Sequence, residues 1–236
     1  MTFVVANSEF IITDKRASVN FGAGGNNDGQ TPGISDRDFI RDDAVKIVIP
    51  KKKVFVHTPG GKYFDKNKYA VAIGMSGEYT TVYDHPVSVL IELGNMETFS
   101  KMLNNNVFKN TTFCLTVLLA NGRVAYLRKD NNTENNDWCL TVYTRSSNNT
   151  PYLIQHGSGT VDTYIVQLYK EGKISLLELF LYGAHMNDYC STDYSVYSLN
   201  HNHLYTTVRP RAKEVKTVID KIHRLLSFKG LKEHRR

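Results

Sequence analysis

Residues 2–18 read TFVVANSEFIITDKRAS, and the fold turns on how this stretch divides. Two short runs rich in Val, Ile and Phe flank a polar Asn7-Ser8-Glu9 break. That is the pattern of two antiparallel strands joined by a tight turn. The first strand begins at Thr2 and the second delivers Asp14. Methionine before a small residue is normally trimmed, so Thr2 is expected to become the amino terminus, carrying a hydroxyl and a free amine on one residue. That pairing is one way to make an activated nucleophile.

Downstream, residues 21–36 are dense in Gly, Asn and Asp and read as a loop. Residues 46–50 (KIVIP), 53–57 (KVFVH) and 68–74 (KYAVAIG) follow as strands, with a PGGK turn between the last two. From Gly77 onward the spacing changes, and residues 86–103 predict a helix whose first turn tolerates Pro86. Strands return at 113–119 and 123–129 around Ala120-Asn121-Gly122, a hairpin signal. Residues 138–145 and 152–157 are two more. Two helices are expected over 161–172 and 175–189, with Gly172 as the stop. Strands at 194–200 and 203–209 and a terminal amphipathic helix close the chain.

Strands, helix, strands, two helices, strands, helix is an order that favours α+β layering over a parallel βαβ sheet. No repeat or linker divides the sequence, so residues 1–236 are expected to form a single domain. Its basic C-terminal helix covers about 211–228, and a frayed tail runs over 229–236. Hydrophobic residues make up 41% and charged residues 22%, ordinary values for a globular protein. No apolar run nears the roughly 20 residues that span a bilayer, and no signal peptide is read at the start. The cysteines, Cys114, Cys139 and Cys190, are odd in number and scattered, which suits buried thiols in a reducing cytoplasm. The net charge of +6 is concentrated in Lys51–Lys53 and the C-terminal tail. Without an aromatic-plus-basic stripe or finger spacing, it reads as a solvated helix face and not as a nucleic-acid site.

An amino-terminal nucleophile needs a proton acceptor, a cation nearby and an oxyanion donor. The α-amine titrates near 8 in model peptides, and a neighbouring lysine lowers it by like-charge repulsion. Candidates occur in a workable order: Asp14 on the second strand and Lys46 opening the strand KIVIP. After them come Gly77 at a strand-to-helix junction and Ser158 in Gly-Ser-Gly at a second such junction.

The set resembles the proteasome β-subunit family and its bacterial two-tier protease relative, members of the N-terminal nucleophile (Ntn) hydrolases. The matching stretches are DKRAS from Asp14 to Ser18, VKIV from Val45 to Val48, and AIGMSG from Ala72 to Gly77. Gly157-Ser158-Gly159 and the AHMNDYC segment from Ala184 to Cys190 complete the set. The resemblance implies a four-layer αββα sandwich of two mostly antiparallel sheets flanked by helices. It implies Thr2 as nucleophile, Asp14 and Lys46 as its charge pair, Gly77 as oxyanion donor, and Ser158 and Asp188 as supporting polar partners. A peptide or amide substrate, no cofactor and no metal, and assembly as a homo-oligomer follow from it. The Asn-rich insertions and small size are similar to proteasome-like proteins encoded by bacterial viruses. That likeness implies a host cytoplasm or virion location and a host or virion protein as partner.

Each residue has a plainer reading. Asp14-Lys15-Arg16 fits a solvated charge cluster at a strand end, and Lys46 has Asp42 and Asp43 as surface partners. Gly60-Gly61 competes with Gly77 for the glycine role, and a shift of one register would replace Asp188 by Asn187. Extra residues between Lys46 and Gly77 and an added strand at 138–145 depart from the family pattern. The fold also hosts inactive subunits, so a shell without turnover stands as the alternative. His201 and His203 share a strand face without a third metal ligand. His185 and Cys190 suggest a thiol site, although Cys190 reads as core. The glycines after Phe21 miss the dinucleotide-binding spacing.

Overall fold

The computed structural model describes residues 2–19, 39–50, 69–77, 113–129, 138–143, 152–157 and 159–228. The helix expected over 86–103, the strand KVFVH, the Gly/Asn loop, Gly60-Gly61 and the C-terminal tail lie outside them. The described strands are β1 (Phe3–Ala6), β2 (Phe10–Asp14), β3 (Ala17–Val19), β4 (Phe39–Arg41), β5 (Ile47–Val48), β6 (Ala70–Gly77), β7 (Phe113–Leu119), β8 (Val124–Lys129), β9 (Trp138–Tyr143), β10 (Ile154–Gly157), β11 (Tyr194–Ser198) and β12 (His203–Val208). Helices α1 (Thr163–Lys170), α2 (Leu176–His185) and α3 (Ala212–Phe228) complete the set.

Two five-stranded sheets, ordered β10-β1-β2-β11-β12 and β5-β6-β7-β8-β9, are antiparallel throughout, and β3 pairs with β4 alone. Alternation along β1 shows how they stack, because successive side chains of a strand point to opposite faces. Phe3 and Val5 join Leu168, Leu179, Phe180 and Ile222 of the helices in one core. Val4 and Ala6 join Ile47, Ala72 and Leu118 of the second sheet in the other. The first sheet is therefore sandwiched between the helices and the second sheet. The fold is α+β, with strands and helices in segregated layers.

The sheets approach closely at Gly74. A Cβ there would lie 2.7 Å from Ile11 Cγ2 and 3.1 Å from Val4 Cγ1. On the helix side, the Phe3 ring stacks on Phe180 with centroids 5.4 Å apart and planes 8° from parallel. Local signals set the helices. Asp162 caps α1 by accepting from the Tyr164 and Ile165 N–H groups. Ser175 and Glu178 form a reciprocal capping box on α2. Gly172, at φ +68°, ends α1, with its N–H on the Tyr169 carbonyl. Val215, Ile219 and Ile222 form the buried stripe of α3, and Lys221 Nζ reaches Glu178 Oε1 of α2 at 2.7 Å.

Two elements differ from the sequence reading. FIITDKRAS breaks into β2 and β3, because Lys15 turns its backbone away: its N–H goes to Asp193 O and its carbonyl accepts from Ala44 N–H. The second expected helix stops at His185, and the Met186 N–H closes it on the Tyr182 carbonyl.

Candidate active site

At the end of β2 the Asp14 carboxylate is wholly buried and ringed by donors. Oδ1 accepts from the Phe3 N–H at 2.7 Å and from Lys46 Nζ at 2.8 Å. Oδ2 accepts from the Arg16 N–H at 3.0 Å and the Ser191 N–H at 3.4 Å. Both side chains of the Asp14–Lys46 pair are 0% exposed. Lys46 Nζ also donates to the Arg16 carbonyl. Burial lowers the Lys46 pKa below the usual lysine value, and the Asp14 charge opposes that shift.

The turn of chain after β2 is not a solvated cluster. Lys15 is buried, with Nζ on the Thr206 carbonyl at 2.9 Å and on Thr207 Oγ1 at 3.0 Å. Arg16 grips Asp42 with both arms, Nε to Oδ1 at 2.8 Å and Nη2 to Oδ2 at 3.0 Å. That pairing takes up Asp42, while Lys46 turns inward to Asp14.

Thr2 precedes the Phe3 N–H that Asp14 holds, and it is 4% exposed. Its carbonyl passes directly over Gly157, where a Cβ would lie 1.8 Å from the oxygen. Gly157 sits at φ +96°, so glycine is required there twice over, by conformation and by space. Gly159 and Gly183 continue this close packing. A Cβ on the first would lie 2.5 Å from Phe3 Cγ, and one on the second 2.3 Å from the Gly159 carbonyl oxygen. The glycines of Gly-Ser-Gly thus seat the start of β1. Ser158 itself lies outside the described residues.

Gly77 ends β6 at φ +144°, exposed. Two residues earlier the Met75 N–H donates to the Lys46 carbonyl at 3.0 Å. Gly77 therefore lies at the same end of the sandwich as Lys46, Asp14 and the beginning of β1. Asp188 is exposed in the turn after α2, and its backbone carbonyl accepts from Arg16 Nη1 at 2.8 Å. From this segment it is the Ser191 N–H that reaches Asp14. Asn187, the one-register alternative, caps the turn by accepting from the Tyr189 N–H.

Sequence reasoning missed Ser191, which no periodicity marks, and the partnership of Arg16 with both Asp42 and the Asp188 carbonyl. It also missed the surroundings of Cys190. This buried thiol lies within electrostatic reach of Asp14 and Lys46, and burial pushes its pKa up to about 12. His185 is exposed. His203 packs edge-on against Tyr205 with centroids 4.5 Å apart. Among the described residues no cluster of His, Cys, Asp or Glu is arranged to hold a metal ion, and no helix is long and apolar enough to cross a membrane.

Two antiparallel sheets form a sandwich with helices packed outside one of them, and a buried carboxylate–lysine pair lies beneath the first strand; solved proteasome-like structures share this fold. No protein-family model matches the sequence, and no curated protein matches it. The likeness is in structure. Anbu from Yersinia bercovieri, described as an ancestral beta-subunit, aligns over 100% of this chain and 99% of its own at a TM-score of 0.50 and 9% identity. Anbu from Pseudomonas aeruginosa, solved as a helical assembly, aligns over 99% of this chain and 98% of its own at a TM-score of 0.50 and 11% identity. At such identities the shared property is the fold.

Proposed function

We propose that the chain is a threonine-type Ntn hydrolase that cleaves an amide or peptide bond through an acyl-enzyme on Thr2. The observation that carries this reading is the Asp14–Lys46 pair, fully buried and bonded to the backbone immediately after Thr2. Burying two charges is expensive, and well-packed apolar residues of the same volume serve stability as well or better. A charge pair retained at such a cost suits chemistry better than architecture.

In the proposed reaction, removal of Met1 frees the Thr2 amine. The amine takes the hydroxyl proton as the Thr2 oxygen attacks the substrate carbonyl, and the Lys46 charge keeps the amine basic but uncharged. The Gly77 N–H stabilises the resulting oxyanion. Collapse expels the leaving amine, which takes the proton back from the Thr2 ammonium. Water then hydrolyses the ester and regenerates Thr2. Asp14 orients Lys46 and fixes the backbone of β1, with Ser158 and Asp188 in secondary polar roles. By analogy with the helical Anbu assembly, we place the chain in a homo-oligomer.

The test joins intact mass to covalent labelling. Protein beginning at Thr2 should react with a peptide epoxyketone, and Thr2→Ala should not. Equal labelling of the two removes Thr2 from the mechanism. A second reading, an inert proteasome-like shell acting as a virion or host-binding component, draws on the near-complete burial of Thr2. Retention of Met1 in native protein would favour it.

A further inference from the structure

His156 is a buried polar group that the proposed chemistry leaves unused. It lies on β10 and is 5% exposed. Its Nδ1 is 2.5 Å from Ser76 Oγ on β6, and its Nε2 is 2.8 Å from Thr116 Oγ1 on β7. Both contacts cross from the first sheet to the second, through a layer built otherwise from Val4, Ile11, Ile47 and Ala72. A neutral imidazole offers one N–H and one lone pair, so one hydroxyl donates to the ring and the other accepts from it. Burial lowers the His156 pKa to about 3, which keeps the ring in that neutral form. The Tyr126 ring flanks it at 5.6 Å between centroids.

The neighbours of these residues in the chain give the arrangement its meaning. After Ser76 comes Gly77, the proposed oxyanion donor. After His156 comes Gly157, over which the Thr2 carbonyl lies so closely that a Cβ would sit 1.8 Å away. One imidazole therefore joins the strand end that carries the donor to the strand end that seats the nucleophile.

Resting on the hydrolase reading, we infer that His156 is a positioning residue that acts through Ser76 and Gly157 to fix the Gly77 N–H relative to Thr2. Apolar contact between the sheets is non-directional. Two hydrogen bonds at opposite corners of one ring fix register, because their geometry is narrow. An oxyanion donor must reach its target within a few tenths of an ångström, and a misplacement of about 1 Å costs on the order of a hundredfold in rate.

The experiment uses full-length protein whose mass shows that it begins at Thr2, and measures the maximal rate and half-saturating concentration of labelling by a peptide epoxyketone. His156→Leu and Ser76→Ala should lower the maximal rate by about 10- to 100-fold while half-saturation stays within about threefold. His156→Gln, whose amide both donates and accepts, should recover most of the loss. A folded His156→Leu or Ser76→Ala that labels at the wild-type rate overturns the role, as does a loss that falls on half-saturation or one that Gln does not rescue. If His156→Leu does not fold, Ser76→Ala decides, since it removes a single hydroxyl and leaves the ring in place. Wild type that labels no faster than Thr2→Ala ends the hydrolase reading, and with it this role. Wild type that labels normally beside an unimpaired Ser76→Ala ends the role alone.

Discussion

Among the described residues Asp14 accepts from the Phe3, Arg16 and Ser191 N–H groups and from Lys46 Nζ. Removing the lysine leaves a buried carboxylate without its ion-pair partner, a defect worth about 3–5 kcal/mol. Lys46→Met is therefore expected to lower stability by that amount in urea unfolding. Adding Asp14→Asn removes the orphaned charge and keeps an oxygen for the Phe3 N–H, so the double variant should recover about 1 kcal/mol or more. Strictly additive losses would show that the two charges do not interact. Labelling by a hydroxyl-directed probe should vanish in both variants, which separates the stability effect from the chemical one.

Strand ends, more than strand interiors, make this candidate site, and Gly157 is the test of that view. Alanine there would need φ near +96° and would drive a Cβ into the Thr2 carbonyl, a backbone atom that cannot rotate away. Gly157→Ala should cost about 2–4 kcal/mol, at the upper end for single substitutions, by thermal or urea unfolding. A variant of wild-type stability would mean that β1 is not seated on β10 as described. The same strand ends explain what the sequence disclosed. Val4, Val5, Ile11 and Ile12 announce β1 and β2 by composition and alternation, and Gly172 announces a helix stop. Local spacing reveals those because it causes them. Lys46, by contrast, sits 32 residues from Asp14, and it turns inward while Arg16 takes Asp42. Ser191 reaches Asp14 from 177 residues away through a backbone N–H that every non-proline residue carries, so no residue type could mark it. Gly-Ser-Gly was legible as a motif, but the reason for its glycines, the Thr2 carbonyl and the Phe3 ring, belongs to packing.

For the whole molecule, the described residues show two buried polar links across the apolar layer between the sheets, the Asp14–Lys46 pair and His156 with its two hydroxyls, and the second makes stability depend on pH. In the folded chain His156 titrates at about 3, and in the unfolded chain near the ordinary value of 6.5. Between those limits the unfolded state binds one proton that the folded state does not. Stability from this group is therefore complete above about pH 6.5 and falls as pH drops toward 3, with a limiting slope of about 1.4 kcal/mol per unit. Among the described residues the neighbours of the ring are Ser76, Thr116 and Tyr126, none charged in that range. Carboxylates elsewhere also titrate there, which makes the difference between two proteins the useful quantity. Urea unfolding of wild type and His156→Gln across pH 3 to 7 should give curves that converge or cross as pH falls, wild type losing more by about 1.4 kcal/mol per unit below 6.5. Parallel curves would mean that the folded protein admits the proton as readily as the unfolded one, and the ring would not then be sealed between the sheets. If the slopes do differ, the proton acts at the buried ring that joins Ser76 to Thr116.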